Sequence, residues 1–211
     1  MPRIDAFQIA DGIVLWMIYL FLAAFLILLA SCCSADSSIH GEDLNNIPVF
    51  GYEIVNSYPH DPMAFTQGLV YDRDDLIYEG TGLYGRSSLR KVELKTGRVI
   101  ELINLSGSLF GEGIALWGES IVQLTWQSGL GLVYGKENLT ETGRFGYRTE
   151  GWGLTSDNHS LIMSDGSNIM HILEAETFRE KERINVTAGG RPLNGLNELE
   201  YIKGEIYANI W

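Results

Sequence analysis

The chain has 211 residues, 45% of them apolar, and its five Trp, ten Tyr and eight Phe can fill one sizeable core. This composition excludes an intrinsically disordered chain, and the length suits one domain with a targeting segment. The formal net charge of −12 excludes the basic surface that phosphate backbones and anionic headgroups require, so nucleic acid is not an expected partner. Only two cysteines occur, the adjacent Cys32 and Cys33, which excludes a disulfide framework and a thiolate zinc site in the rest of the chain.

An apolar stretch without a charge, residues 13–30, comes first along the chain. A helix of this length crosses the ~30 Å of a hydrocarbon core, so we expect residues 1–35 to be a membrane anchor or signal helix, with the membrane as a partner through residues 13–30. No Lys or Arg follows it until Arg73, and the basic-residue asymmetry predicts that the bulk of the chain lies outside the cell. A secreted protein and a lipoprotein lipidated at Cys32 are the alternatives.

Four Asn-x-Ser/Thr sequons favour the same extracytoplasmic location. They begin at Asn104, Asn138, Asn158 and Asn185.

The next segment, residues 36–48, is polar and is expected to be a linker. An alternating run at 49–55 then predicts the first strand, and short β-branched and aromatic runs separated by turn pairs continue to residue 211. No stretch of useful length has helical periodicity. An all-β domain is therefore predicted over residues 49–211, preceded by one hydrophobic N-terminal helix.

Four short segments of this domain can be aligned with one another, at spacings of 45, 40 and 45 residues. Shortly after each, a second apolar strand is predicted to begin. Repeats of about 40 to 50 residues that contain only strands are typical of a β-propeller, whose blades bury their faces only against each other. A β-sandwich is the alternative fold, but it does not require aligned repeats. The predicted second strands begin at Ile77, Ile121, Leu161 and Ile206.

In a propeller, the innermost strand of each blade lines the central channel, so residues at one repeat position converge. Here that position holds an acid, two primary amides and an indole, followed by Gly in the first three repeats and then by Leu or Ile in all four, which favours a binding site over repeated packing. Packing between blades is the alternative for each ring, and strand-end hydrogen bonding is the alternative for the amides. The residues in register are Gln67, Glu112, Trp152 and Asn197, with Trp126 and Trp211 at a second shared position and Phe65 and Phe110 flanking the first.

Glu112 is the candidate catalytic residue among them. A carboxylate between Gly111 and Gly113 in an apolar channel pays a desolvation cost unless it has a task or a partner. The four histidines lack metal-ligand spacing, so neither a metal nor a cofactor is expected for catalysis. The acidic turns at 72–75 and 164–166 are alternative calcium sites, although solvated turns also explain them.

Eight motifs resemble, in the same order, those of the glutaminyl-peptide cyclotransferases of the plant and bacterial β-propeller type. The resemblance covers nearly everything from Tyr58 to Trp211. The motifs lie at 58–62, 64–68, 82–90, 110–113, 124–126, 150–155, 164–167 and 196–201.

This resemblance implies a five-bladed propeller that converts the N-terminal glutamine of peptides or proteins to pyroglutamate with loss of ammonia, without a catalytic metal. It implies that Glu112 is the general acid/base. It also implies substrate-binding roles for Gln67, Asn197, Trp126, Trp152 and Trp211, with Phe65 and Phe110 adjoining.

The chain departs from the family pattern at its end, because it stops at Trp211 within the second strand of the fourth repeat. We therefore expect a C-terminally incomplete propeller that lacks a basic pocket residue of the last part. One alternative is a noncatalytic, membrane-tethered propeller that binds peptides or a partner chain. Another is a calcium-dependent propeller hydrolase, which needs converging Asp, Glu and Asn ligands.

Overall fold

The computed structural model describes residues 50–211, and within them it contains strands and turns without a helix. The all-β prediction is confirmed. No helix among these residues is long and apolar enough to span a membrane, and the predicted anchor at 1–35 and linker at 36–48 lie outside the described range. The strands are β1 (Thr66–Tyr71), β2 (Leu76–Thr81), β3 (Ser88–Glu93), β4 (Arg98–Asn104), β5 (Gly111–Trp117), β6 (Ser120–Thr125), β7 (Leu130–Gly135), β8 (Glu141–Gly146), β9 (Leu154–Ser156), β10 (Ser160–Ser164), β11 (Ile169–Glu174), β12 (Glu180–Asn185), β13 (Thr187–Ala188), β14 (Arg191–Pro192), β15 (Leu196–Ile202) and β16 (Glu205–Ile210).

The strands form three four-stranded antiparallel sheets in chain order, β1–β4, β5–β8 and β9–β12. A small hairpin, β13–β14, separates the third sheet from the two-stranded sheet β15–β16. Each of the predicted second strands begins one residue before its expected start, as β2, β6, β10 and β16. The repeat in the sequence is therefore a repeat of antiparallel sheets.

The strand predicted at 49–55 is wrong over residues 50–55, where no strand is formed. The side chains of Tyr52, Ile54 and Val55 are exposed there. Alternation of apolar residues marks a face that a strand can bury, but a strand forms only against a partner. None of the described sheets supplies one, and the first strand begins at Thr66.

The first strands of successive sheets pack side by side, β1 against β5, β5 against β9 and β9 against β15. Three clusters of buried apolar side chains, which include residues of these first strands, each lie between two neighbouring sheets. Sheets that cover only their neighbours in this way make a propeller-like fold. In order along the chain, the clusters include Leu89 and Ile121, Val122 and Leu161, and Ile162 and Leu199.

A glycine in each of the first three repeats lets these first strands approach backbone to backbone. A Cβ atom at these positions would lie far inside contact distance of the next strand, so only glycine fits. The fourth repeat has Glu198 at this position. The distances from an ideal Cβ to the nearest neighbouring atom are 2.5 Å from Gly68 to the Ile114 nitrogen, 2.6 Å from Gly113 to the Leu154 nitrogen and 2.1 Å from Gly153 to the Asn197 oxygen.

Candidate functional site

The regular pairing of the first strands is interrupted at the aligned residues. Register shifts fall between Thr66 and Gly68, between Gly111 and Ile114, and between Leu196 and Leu199. Gln67, Glu112 and Asn197 therefore each lie in a bulge, and a bulge twists a strand and redirects a side chain.

Trp152, the fourth aligned residue, precedes β9. Its backbone nitrogen donates to the Ser164 carbonyl at 3.0 Å, which holds it against β10.

Glu112 is 4% exposed, and its Oε2 accepts a hydrogen bond of 2.6 Å from Nε2 of Gln67. Burial raises the pKa of Glu112 to about 8, the Gln67 hydrogen bond opposes this shift, and the negative charge of Glu150 adds to it. The carboxyl is thus mainly protonated at neutral pH. Because Gln67 already donates to Oε2, the acidic proton lies on Oε1.

Phe110 is the centre of an aromatic cluster beside this carboxyl. Its ring makes edge contacts with Phe65 at 6.2 Å, Tyr84 at 5.5 Å and Trp126 at 5.6 Å between centroids. Edge-to-face contacts of this kind stabilise ring pairs beyond the area that they bury.

A second edge contact, of 6.2 Å, joins Trp152 to the exposed Trp211. The structure thus brings the predicted aromatic residues together in two groups.

Glu150 joins the two groups, and the sequence reasoning missed this residue. Its Oε2 accepts hydrogen bonds from Nε1 of Trp126 at 2.7 Å and Nε1 of Trp152 at 2.9 Å, and its Oε1 accepts one from Gln127 at 3.1 Å. The Trp152 hydrogen bond, with those of Gln127 and Trp126, lowers the pKa of Glu150 against the effect of burial. Glu150 was visible only as the first residue of an aligned repeat segment and of the motif at 150–155, and its contact with Trp126 crosses 24 residues of sequence.

Asn197 lies beside the segment that contains Trp152. Its backbone oxygen accepts a 2.7 Å hydrogen bond from the Ser164 hydroxyl, and the same oxygen faces Gly153. This arrangement fixes the backbone of Asn197 next to Trp152.

The following residue, Glu198, is a second carboxyl that the sequence reasoning missed. Burial raises its pKa well above the usual value, although a backbone hydrogen bond from Leu69 opposes the shift. Its Oε2 has no hydrogen-bond partner among the described residues. Its side chain thus reaches from the fourth repeat to β1.

The acidic turns considered as calcium sites use their carboxylates in ion pairs. Residues 50–211 contain no group of three or more His, Cys, Asp or Glu side chains that could hold a metal ion. The pairs are Asp72 with Lys136, Asp75 with Lys95, and Asp165 with His171.

These contacts define an all-β, propeller-like protein in which a protonated carboxyl, a primary amide and several indoles are gathered around the first strands of the sheets. The sequence profile of the family described as glutamine cyclotransferase matches residues 23–211. The chain therefore belongs to the glutamine cyclotransferase family.

Two relatives in this family are similar to the chain over most of its length. A glutaminyl-peptide cyclotransferase from Arabidopsis thaliana is 42% identical over 160 residues, which cover 75% of this chain and 50% of the relative. The crystal structure of Myxococcus xanthus glutaminyl cyclase superposes with a TM-score of 0.70 at 36% identity, covering 75% of this chain and 67% of that one. The chain thus spans about half the length of the curated relative that it matches.

A protein of unknown function from Bacteroides caccae shares the fold alone. Its TM-score is 0.53 at 16% identity, with 69% of this chain and 56% of that chain covered.

Proposed function

We propose that this chain carries glutaminyl cyclotransferase activity, converting an N-terminal glutamine of a peptide or protein to pyroglutamate and ammonia, with Glu112 as general acid/base. The observation that carries the proposal is the buried carboxyl of Glu112, whose pKa is raised to about 8 and whose Oε2 is held by Gln67. A carboxyl that keeps its proton near neutrality is suited to protonating a poor leaving group. Family membership and the matched motifs support the same activity.

The reaction begins with the neutral α-amine of the substrate. Its pKa of roughly 8 leaves a usable fraction deprotonated near neutral pH. The amine nitrogen attacks the γ-carboxamide carbon, which forms the C–N bond of the five-membered ring. Attack is intramolecular, so the pocket has only to hold the side chain folded toward the amine.

Departure of ammonia is the step that requires the acid. An amide anion does not leave, so Oε1 of Glu112 gives its proton to the γ-nitrogen and the old C–N bond breaks. The extra proton on the ring nitrogen then passes to Glu112, which returns to its starting state. One carboxyl serves both transfers, and no net proton is gained or lost.

The other pocket residues orient the substrate in this proposal. The amides of Gln67 and Asn197 hold the terminal glutamine and polarise its oxygen as the tetrahedral centre forms. The rings exclude water and keep the substrate folded. Specificity then comes from the terminal glutamine itself, and residues further along the peptide matter little. The rings are those of Phe65, Phe110, Trp126, Trp152 and Trp211.

The finer architecture and the location belong to the same proposal. We propose that the three four-stranded sheets and β15–β16 are parts of a five-bladed propeller. Residues 13–30 tether it to the membrane on the extracytoplasmic side, with secretion or lipidation at Cys32 as alternatives.

All four sequon asparagines are exposed, which supports this location. A gel shift on treatment with peptide N-glycosidase, together with retention in carbonate-washed membranes, is the expected result in a host that glycosylates. A protein recovered unmodified from the cytosol would contradict the location.

Ammonia release from a Gln-initiated dipeptide, measured on the full chain in the presence of a chelator, tests the activity. We expect chelator-resistant release that falls by at least about a hundredfold in Glu112→Gln, because general acid–base catalysis contributes on this order. Glu141→Gln is the matched control, since this carboxylate is exposed on β8 and pairs with Arg144. A folded wild-type chain that releases no ammonia would overturn the proposal in favour of a noncatalytic, peptide-binding propeller.

A further inference from the structure

Two pocket indoles share a single carboxylate oxygen. Oε2 of Glu150 accepts from Trp126, at the end of β6, and from Trp152, before β9. An indole N–H can only donate, so an acceptor placed between the two rings determines where both N–H groups point. Both bonds go to an ionised acceptor, and such bonds are roughly twice as strong as neutral ones.

The backbone around the bridge is fixed independently of it. The Trp126 nitrogen donates to Phe110, and the Gly151 nitrogen donates back to the Trp126 carbonyl at 2.9 Å. Since both main-chain segments are already held, the Glu150 carboxylate is free to set the side-chain torsions of the two rings. A residue that merely stabilised the loop would not need to contact two rings at once.

We propose that Glu150 is a positioning residue of the pocket, which acts through Trp126 and Trp152 by fixing the planes of both indoles against the substrate's terminal glutamine. This inference rests on the proposed function for the identity of the substrate. The bridge itself is a property of the folded chain and can be tested without any substrate.

The charge of Glu150 has a second effect in the same pocket. Two other ionisable groups interact with it, Glu112 on β5 and Asp165 in the turn after β10, and Asp165 is itself paired with His171. Removing the charge of Glu150 therefore lowers the pKa of Glu112. Because Glu112 acts in its protonated form, the high-pH limb of the activity profile moves to lower pH.

The first measurement follows the tryptophan indole N–H resonances of the ¹⁵N-labelled chain by NMR. In Glu150→Gln and Glu150→Ala we expect the resonances of Trp126 and Trp152 to move upfield and to exchange faster with water, because a charge-assisted bond is lost. Trp117 serves as the internal reference, and Trp126→Phe and Trp152→Phe assign the peaks. The control Glu141→Gln leaves all of them in place. If the alanine variant fails to fold, Glu150→Gln still provides a folded sample, because it keeps an acceptor oxygen. Resonances of Trp126 and Trp152 that do not move in Glu150→Gln would overturn the bridge.

The second measurement is ammonia release across pH for the same variants. We expect kcat/KM of Glu150→Gln to fall on the order of tenfold to a hundredfold, since small misplacements of a binding group cost about this much. KM rises, kcat falls, and the high-pH limb moves to lower pH. Moved resonances with kinetics and pH profile equal to those of Glu141→Gln would overturn the positioning role. If the wild-type chain releases no ammonia, the proposed function fails, and the indole resonances still decide whether Glu150 positions the rings.

Discussion

In two neighbouring regions of the candidate site, the pKa of a carboxyl is shifted in opposite directions. On the β1–β5 wall, Glu112 is buried and receives one hydrogen bond from Gln67, and its pKa rises to about 8. In the loop before β9, the half-buried Glu150 receives three N–H donors, and its pKa is lowered. Desolvation prevails where donors are few, and hydrogen bonding prevails where they are many. At neutral pH the carboxyl of Glu112 is thus mainly protonated, while that of Glu150 is ionised.

The largest expected effect is on ammonia release and follows from moving the carboxyl of Glu112. Shortening the side chain in Glu112→Asp draws the carboxyl back from its place next to Gln67, so we expect ammonia release to fall on the order of a hundredfold. The assay is kcat/KM with a Gln-initiated dipeptide, and Glu141→Asp is the control. Retention of more than a tenth of wild-type activity would show that the position of this carboxyl is not critical.

The raised pKa of Glu112 makes the stability of the folded chain depend on pH. The ordinary pKa of 4.5 applies to Glu112 in the unfolded chain, and about 8 applies in the folded one. Between these values the unfolded chain releases a proton that the folded chain keeps, so the stability of the wild type falls as pH rises through this window.

Glu112→Gln removes this loss, because a glutamine does not ionise. At pH 9 we expect the variant to be more stable than the wild type by up to about 5 kcal/mol, since each unit of the pKa difference between 4.5 and about 8 corresponds to about 1.4 kcal/mol. At pH 4 the two should be nearly equal. Urea unfolding at both pH values is the measurement, and a constant difference across pH would contradict the buried, protonated carboxyl.

For Glu150 we expect a smaller effect on stability, with the opposite dependence on pH. The lowered pKa of Glu150 means that its contribution to stability is present above the ordinary value of 4.5 and is lost as pH falls through the folded pKa. Because the group is only partly shielded from water, we expect Glu150→Gln to cost less than about 1 kcal/mol at pH 7. The same unfolding curves measure it, and a cost that grows as pH falls would refute the assignment.

The smallest expected effects come from Gln67 and Gln127, each of which donates a hydrogen bond to one of the two carboxyls. Gln67→Leu removes the hydrogen bond that lowers the pKa of Glu112. This pKa therefore rises further, and the pH range over which Glu112 ionisation destabilises the folded chain extends to higher pH. Gln127→Leu is the matched change at Glu150, where it raises the pKa and leaves Glu112 unchanged. Carboxyl titration by ¹³C NMR distinguishes them, and a downward shift of Glu112 in Gln67→Leu would contradict the hydrogen-bond direction.

Short β-branched and aromatic runs between turn pairs were sufficient to predict the second strand of each repeat, because both signals lie in the local sequence. Strands β2 and β16, for example, each begin one residue before the start that the sequence predicts. The register of Gln67 and Glu112 followed from the repeat spacing, and their hydrogen bond supports it.

Features that depend on partners distant in sequence could not be predicted in this way. The run at 50–55 alternates like a strand, yet alternation does not specify a partner. Glu150 escaped notice because its role arises from where a loop directs a side chain. Glu198 did so because the repeat has glycine at its position in every earlier copy.

The close approach of the first strands at Gly68, Gly113 and Gly153 has a consequence for how such a pocket can change. The glycine permits the close approach of two strands, while the residue just before it supplies the side chain that differs from repeat to repeat. A substitution at Gln67 or Glu112 therefore changes the chemistry of the site while the close approach of the strands at the glycines is kept. Each of the first three repeats thus combines a constant glycine contact with a variable neighbouring side chain, so single substitutions at the variable position offer a route to new specificities.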